Sequence, residues 1–138
     1  MENRAFKLLL VLSQLSAWLR DLLEKEFEGL TPQQFLTLFL VKEGKNPSAI
    51  AGELLISPAV ITGHVSRLER KGHIADRQRS SEDRRVRILT LTPEGEEVLG
   101  KVLNILNEKF ESAFTEHFQD DGYQMMIEDL EVVIRHLL

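Results

Sequence analysis

Apolar residues recur at helical spacing over most of the chain. Leu8, Leu12, Leu15, Leu19 and Leu22 follow a 4-3-4-3 rhythm that predicts a helix over roughly residues 3–28. Leu99, Leu103, Leu106, Phe110 and Phe114 predict a second long helix from Thr92 to about residue 117, and Met126, Leu130, Val133 and Leu137 a last one over about 121–137. The middle of the chain is punctuated by proline. Thr31-Pro32, Asn46-Pro47, Ser57-Pro58 and Thr92-Pro93 each set a capping residue before a proline. Proline suits the first helical position because its missing N–H has no partner there and its φ is already helical. Thr31 and Gln34 also stand at capping-box spacing. Gly44 and Gly72 follow Lys42-Glu43 and Arg70-Lys71 and read as helix ends. These signals predict helices over about 32–43, 47–54 and 58–71. Two strand-like pieces, 73–78 and 86–91, follow, joined by the polar stretch 79–85.

The third and fourth helices are separated only by Leu55, Ile56 and Ser57, a turn short enough to force a sharp angle, as in a helix-turn-helix. Ala51 is small where the two would approach, and Leu54, Ile56, Ile61, Val65 and Leu68 have the spacing to bury the inner faces. The outer face of the fourth helix then carries Ser57, Ala59, Thr62, Gly63, Ser66, Arg67 and Arg70. Short hydroxyl side chains near its start and cations further along suit a helix N-terminus set in a DNA major groove. An ordinary helical hairpin with a polar outer face has the same pattern.

Charge changes that balance. The chain has 138 residues and a net charge of −5, but residues 57–90 hold eight Arg/Lys against four Asp/Glu, a local +4, and the remainder nine against eighteen, a local −9. A basic module in an acidic body points to a polyanion for that module alone. Asp83-Arg84-Arg85 closes the polar loop of the hairpin. An arginine there can enter the minor groove, where negative potential concentrates, and a neighbouring aspartate can fix the guanidinium's direction. Arg85 fits the groove role, and Arg84 or Arg87 a phosphate contact. The alternative is a solvated loop whose arginines pair with Glu82 and Asp83.

The absence of cysteine excludes disulfides, thiolate metal sites and thiol redox sensing. His64, His73, His117 and His136 have no metal-ligand spacing, and no nucleophile–base pair, paired-carboxylate motif or glycine-rich phosphate loop occurs. No enzyme, cofactor or metal is expected. Lys7, Arg20, Asp21 and Glu24 interrupt the first helix, so no membrane span is expected and the reading is cytoplasmic.

The order of elements resembles the winged helix-turn-helix of the MarR transcriptional regulators. The matching stretches are "LTPQQFLTL", "SPAVITGHVSRLERKGHI" and the "EDRRVRILTLTPEGEEV" wing, flanked by long helices. The resemblance implies a mainly α fold with a small β-hairpin wing, in one domain over 1–138. Residues 31–97 would form the DNA-binding lobe, and 1–28 with 98–138 a helical dimerisation layer. It implies a homodimer on a pseudo-palindromic operator in double-stranded DNA, acting as a repressor relieved by a small aromatic or anionic effector. By position, Ser57, Pro58, Ala59, Thr62, Gly63, His64 and Arg67 would face the groove, with Asp83 and Arg85 as the wing pair and Arg84 or Arg87 beside them. Gly63 stands where such proteins often carry a long polar side chain, and the turn "LLIS" lacks their common glycine. Trp18, Phe39, Phe110 and Phe114 are candidates both for lining an effector site and for filling the core. Against this stands a winged-helix protein-interaction module without specific DNA binding, which would lack a steep salt dependence on duplex DNA.

Overall fold

A computed structural model describes residues 3–27, 29–79 and 87–138. Their order is α1 (Arg4–Glu26), α2 (Pro32–Lys42), α3 (Pro47–Leu54), α4 (Pro58–Arg70), β1 (Ile74–Arg79), β2 (Arg87–Leu91), α5 (Pro93–His117) and α6 (Gly122–Leu137). Each proline opens a helix, and the residue before it caps the helix. Gln34 N donates to Thr31 Oγ1 at 3.2 Å, and Thr31 N donates back to Gln34 Oε1 at 3.4 Å, which completes the capping box. Asn46, Ser57 and Thr92 accept from Ala49 N, Val60 N and Gly95 N at 2.8, 3.2 and 3.0 Å. Such caps satisfy helix N–H groups that have no partner within the helix.

Gly44 and Gly72 take the left-handed conformations, φ 86° and 80°, that end α2 and α4. The helix-turn-helix turn does the same without a glycine. Leu55 adopts φ 57°, ψ 42° and its N–H reaches back to Ala51 O and Gly52 O. A leucine held left-handed crowds its Cβ against the following carbonyl, at about 1–2 kcal/mol. Its side chain is 63% exposed and recovers little by packing. Leu55→Gly is therefore expected to stabilise the protein by about 1 kcal/mol, less the extra entropy of the unfolded glycine. The check is a higher denaturant midpoint at unchanged m-value.

Two compact units emerge, residues 1–100 and 101–138. In the first, Leu23, Leu38, Ile50, Ile61, Val65 and Leu68 are fully enclosed, with Phe35, Ile74, Leu89 and Leu99 buried around them. The chain bends by 116° between α3 and α4, so Ile61, Val65 and Leu68 of α4 face the core while its other side is left outward. Strands β1 and β2 pair antiparallel, Ile74 opposite Leu91 and Asp76 opposite Leu89, with a one-residue shift before Arg79 meets Arg87. In the second unit, Phe114 stacks on Tyr123 at 4.5 Å and on Phe118 at 6.0 Å, tying the end of α5 to the start of α6.

The Leu-Thr-x-x-Gly sequence at the start of α5 locks the base of the hairpin. Thr92 N donates to His73 O, Thr92 Oγ1 donates to Gly72 O, and Gly95 N donates to Thr92 Oγ1. Gly95 lies so close to the chain at His73 that a Cβ there would sit 2.1 Å from the His73 carbonyl oxygen. The obstacle is backbone, so it cannot swing aside. Gly95→Ala is expected to destabilise by about 3 kcal/mol, the upper part of the overpacking range, visible as a fall in thermal midpoint that Gly100→Ala, with open space around it, does not show.

Candidate nucleic-acid interface

Helix α4 divides its residues by face. Ile61, Val65 and Leu68 go inward, and Ser57, Pro58, Ala59, Val60, Thr62, Ser66, Arg67 and Arg70 lie outward, with Gly63 half-buried between them. Ser57 is occupied as the cap but keeps its hydroxyl proton for a further acceptor. Thr62 Oγ1 donates to Pro58 O at 2.9 Å, which leaves its lone pairs and methyl group outward. His64 departs from the expected groove-facing set. It is only 9% exposed, on the inner side of α4, and its Nε2 meets Gln33 Oε1 of α2 at 2.9 Å. The reason is angular: His64 lies three residues after Ile61 and four before Leu68, so it falls on the core side of the helix. Its place is that of a strut between α2 and α4.

The hairpin contributes Arg87 from β2. Its Nη2 pairs with Glu69 Oε1 of α4 at 3.0 Å, both groups being about one-third exposed. Arg87 thus ties β2 to α4, whereas the sequence pattern offers it to phosphate. Asp83, Arg84 and Arg85 lie outside the described residues. Lys71, counted with the basic module by sequence, donates its ammonium to Gly29 O at 2.5 Å and steadies the entry to α2. Among the described residues no group of three or more His, Asp or Glu is placed to hold a metal ion, and no single helix is long and apolar enough to cross a membrane.

A sequence model described as MarR family matches residues 28–86. The chain is 31% identical to the HTH-type transcriptional regulator BilQ of Clostridioides difficile (strain CD3) over 106 residues, covering 75% of this chain and 70% of that protein. This chain belongs to the MarR family. The fold agrees. The structure of S. aureus MepR in its DNA complex matches at TM-score 0.80 with 19% identity over 100% of both chains. That of Streptococcus pneumoniae FabT in complex with DNA matches at TM-score 0.78 with 20% identity, over 96% of this chain and 94% of that one. This protein is accordingly a MarR-family transcription regulator and not an enzyme.

Two features of this MarR-family member escaped sequence reasoning. Val60, 42% exposed on α4, puts an apolar group on the outer face; its one-residue offset from Ile61 was the available signal. The second is the titration of His64, which is buried, and His73, which is half-buried. Burial first, and Arg67 second, holds His64 below its ordinary value of 6.5. Burial and then Lys71 do the same for His73, with Glu94 opposing. The fold therefore favours both rings neutral, whereas the unfolded chain protonates near pH 6.5. Their contribution to stability is whole above that pH and is lost as pH falls through it toward the folded values. The denaturant midpoint is expected to drop between pH 7.5 and 5.5, and less steeply in a His64→Gln/His73→Gln variant. An equal drop in both proteins would assign the effect elsewhere.

Proposed function

We propose that the protein binds a pseudo-palindromic operator as a homodimer and represses transcription until a small ligand weakens that binding. The outward face of α4 carries the DNA-binding part of the reading: short hydroxyl and apolar side chains at its N-terminal end, then Arg67 and Arg70, on a helix fixed by core packing and bent 116° from α3. That combination suits base edges along the first turns of the helix and phosphates toward Arg70. Dimerisation is supported by the apolar residues left in solvent. Leu8, Leu12 and Leu15 of α1 are 52%, 45% and 44% exposed, and α6 buries no residue at all despite Leu130, Val133, Ile134 and Leu137. Contiguous apolar surface of this kind marks an interface.

A cleft of about 590 Å³ between the α2–α3 connection and β2 is lined by Lys42, Lys45 and Arg87, and an anionic ligand there would exchange with the carboxylates of Glu96, Glu53 and Glu69 that pair with them. A ligand there touches the strand that carries the wing and can favour one wing position over another, as relief of repression requires. Titration of duplexes selected from a random pool tests the whole reading. Tight binding to a palindromic consensus, weakening steeply with salt, is the expected result. Salt-independent binding without sequence selection would favour the protein-interaction reading instead.

A further inference from the structure

The recognition face has one long side chain near its start, and it reaches there from a turn away. A Cβ placed on Gly63 would lie 3.5 Å from Arg67 Nη1 and 4.0 Å from Arg67 Cζ. The guanidinium of Arg67 is therefore laid back over Gly63, along the direction helical side chains naturally lean, toward the helix N-terminus. Arg67 is exposed, and its guanidinium makes no hydrogen bond or ion pair with a described residue. Toward the helix N-terminus the outward side chains are short, Ala59, Val60 and Thr62, and the other outward arginine, Arg70, lies on the C-terminal side of Arg67. Val60, Gly63 and Arg67 stand at i, i+3, i+7 and share one strip of α4. Val60 lies about 4.5 Å nearer the helix N-terminus than Gly63, by helical rise.

We propose that Arg67 reads a guanine in each half-site, its fork placed over Gly63 doing what a long side chain at position 63 would otherwise do, and that Val60 meets a thymine methyl on the neighbouring base pair. The inference rests on the DNA-binding reading above and assigns its specificity. A guanidinium presents two parallel N–H donors matched to guanine O6 and N7, whereas a lysine offers a point charge without that geometry. The small residues let α4 sit deep enough for the fork to reach the base edge. Thr62 has already donated its hydroxyl proton within the helix, so it does not supply a competing donor. Gly63 on this view is retained for clearance: a longer side chain there occupies the place of the guanidinium.

Selection from a random duplex pool, run in parallel for the wild type and single variants, tests this position by position. The wild-type consensus is expected to carry one strongly preferred G in each half-site, next to a T. Arg67→Ala and Arg67→Lys are both expected to lose the preference for that G, about five- to a hundredfold, while the rest of the consensus survives. Val60→Ser is expected to relax only the adjacent T. Gly63→Ala is expected to keep the G, because its Cβ lands at ordinary contact distance, and Gly63→Gln to displace it. Thermal melts of each variant separate lost reading from lost fold. If Arg67→Ala weakens all duplexes equally and leaves the consensus unchanged, Arg67 is a phosphate contact and the inference is overturned, with the regulator reading intact. Retention of the G by Arg67→Lys overturns it equally. A wild type that enriches no consensus overturns the DNA-binding reading and this one with it.

Discussion

Replacing Leu8, Leu12 and Leu15 together by glutamate is expected to leave a folded monomer whose affinity for a full operator falls at least about a hundredfold. These side chains are about half exposed on α1, so their removal forfeits little packing within one chain, while Leu23, which anchors the end of α1, stays fully buried. Three carboxylates on the same stripe of each copy would meet their equivalents across a symmetric interface, and like charges forced together repel. The loss on DNA follows from linkage of two half-sites: binding of the second is intramolecular in a dimer, which raises avidity by roughly 10²–10⁴ without any new contact. Light scattering reports the assembly, and titration on full and half operators reports the avidity. A variant that remains dimeric at micromolar concentration, or that loses as much on a half-site as on the full site, would contradict the assignment. Val133→Glu with Leu137→Glu tests the exposed stripe of α6 in the same way.

The second large effect is expected at the wing. Arg85→Ala should lower operator affinity at least about tenfold, since a dimer loses two contacts each worth roughly 1–3 kcal/mol. The sign of Asp83→Ala carries the mechanism. If the wing is only a cationic cushion, removing a negative charge tightens binding, and Arg84→Ala and Arg85→Ala weaken it equally. If Asp83 orients Arg85 by a charge-assisted bond, Asp83→Ala weakens binding, and Arg85→Ala costs more than Arg84→Ala on the operator but not on random duplex. Arg87 supplies a contrast. Its pairing with Glu69 makes it a tie between β2 and α4, so Arg87→Ala and Glu69→Ala should have similar, smaller effects. Titration of all five variants at one fixed salt concentration distinguishes these outcomes.

The agreement of sequence and structure is closest where the determining interactions are short in sequence. Thr31, Asn46, Ser57 and Thr92 each accept from a backbone N–H three residues ahead, and Gly44 and Gly72 turn the chain where their own backbone freedom permits. Those choices are local, so residue type and spacing determined the helices, the tight turn after α3 and the two strands, and the order of these elements carried the resemblance to the family. The inner face of α4 was legible for the same reason, since Ile61, Val65 and Leu68 repeat with the helix. Tertiary structure decided the pairings that close long loops. Which partner His64 meets, that Arg87 finds Glu69, that Lys71 reaches Gly29, and that Gly95 must pass beneath the His73 carbonyl depend on where α2, α4, β2 and the start of α5 come to rest. A cation's charge is visible in the sequence, but its partner is set by distances of a few ångströms between elements tens of residues apart.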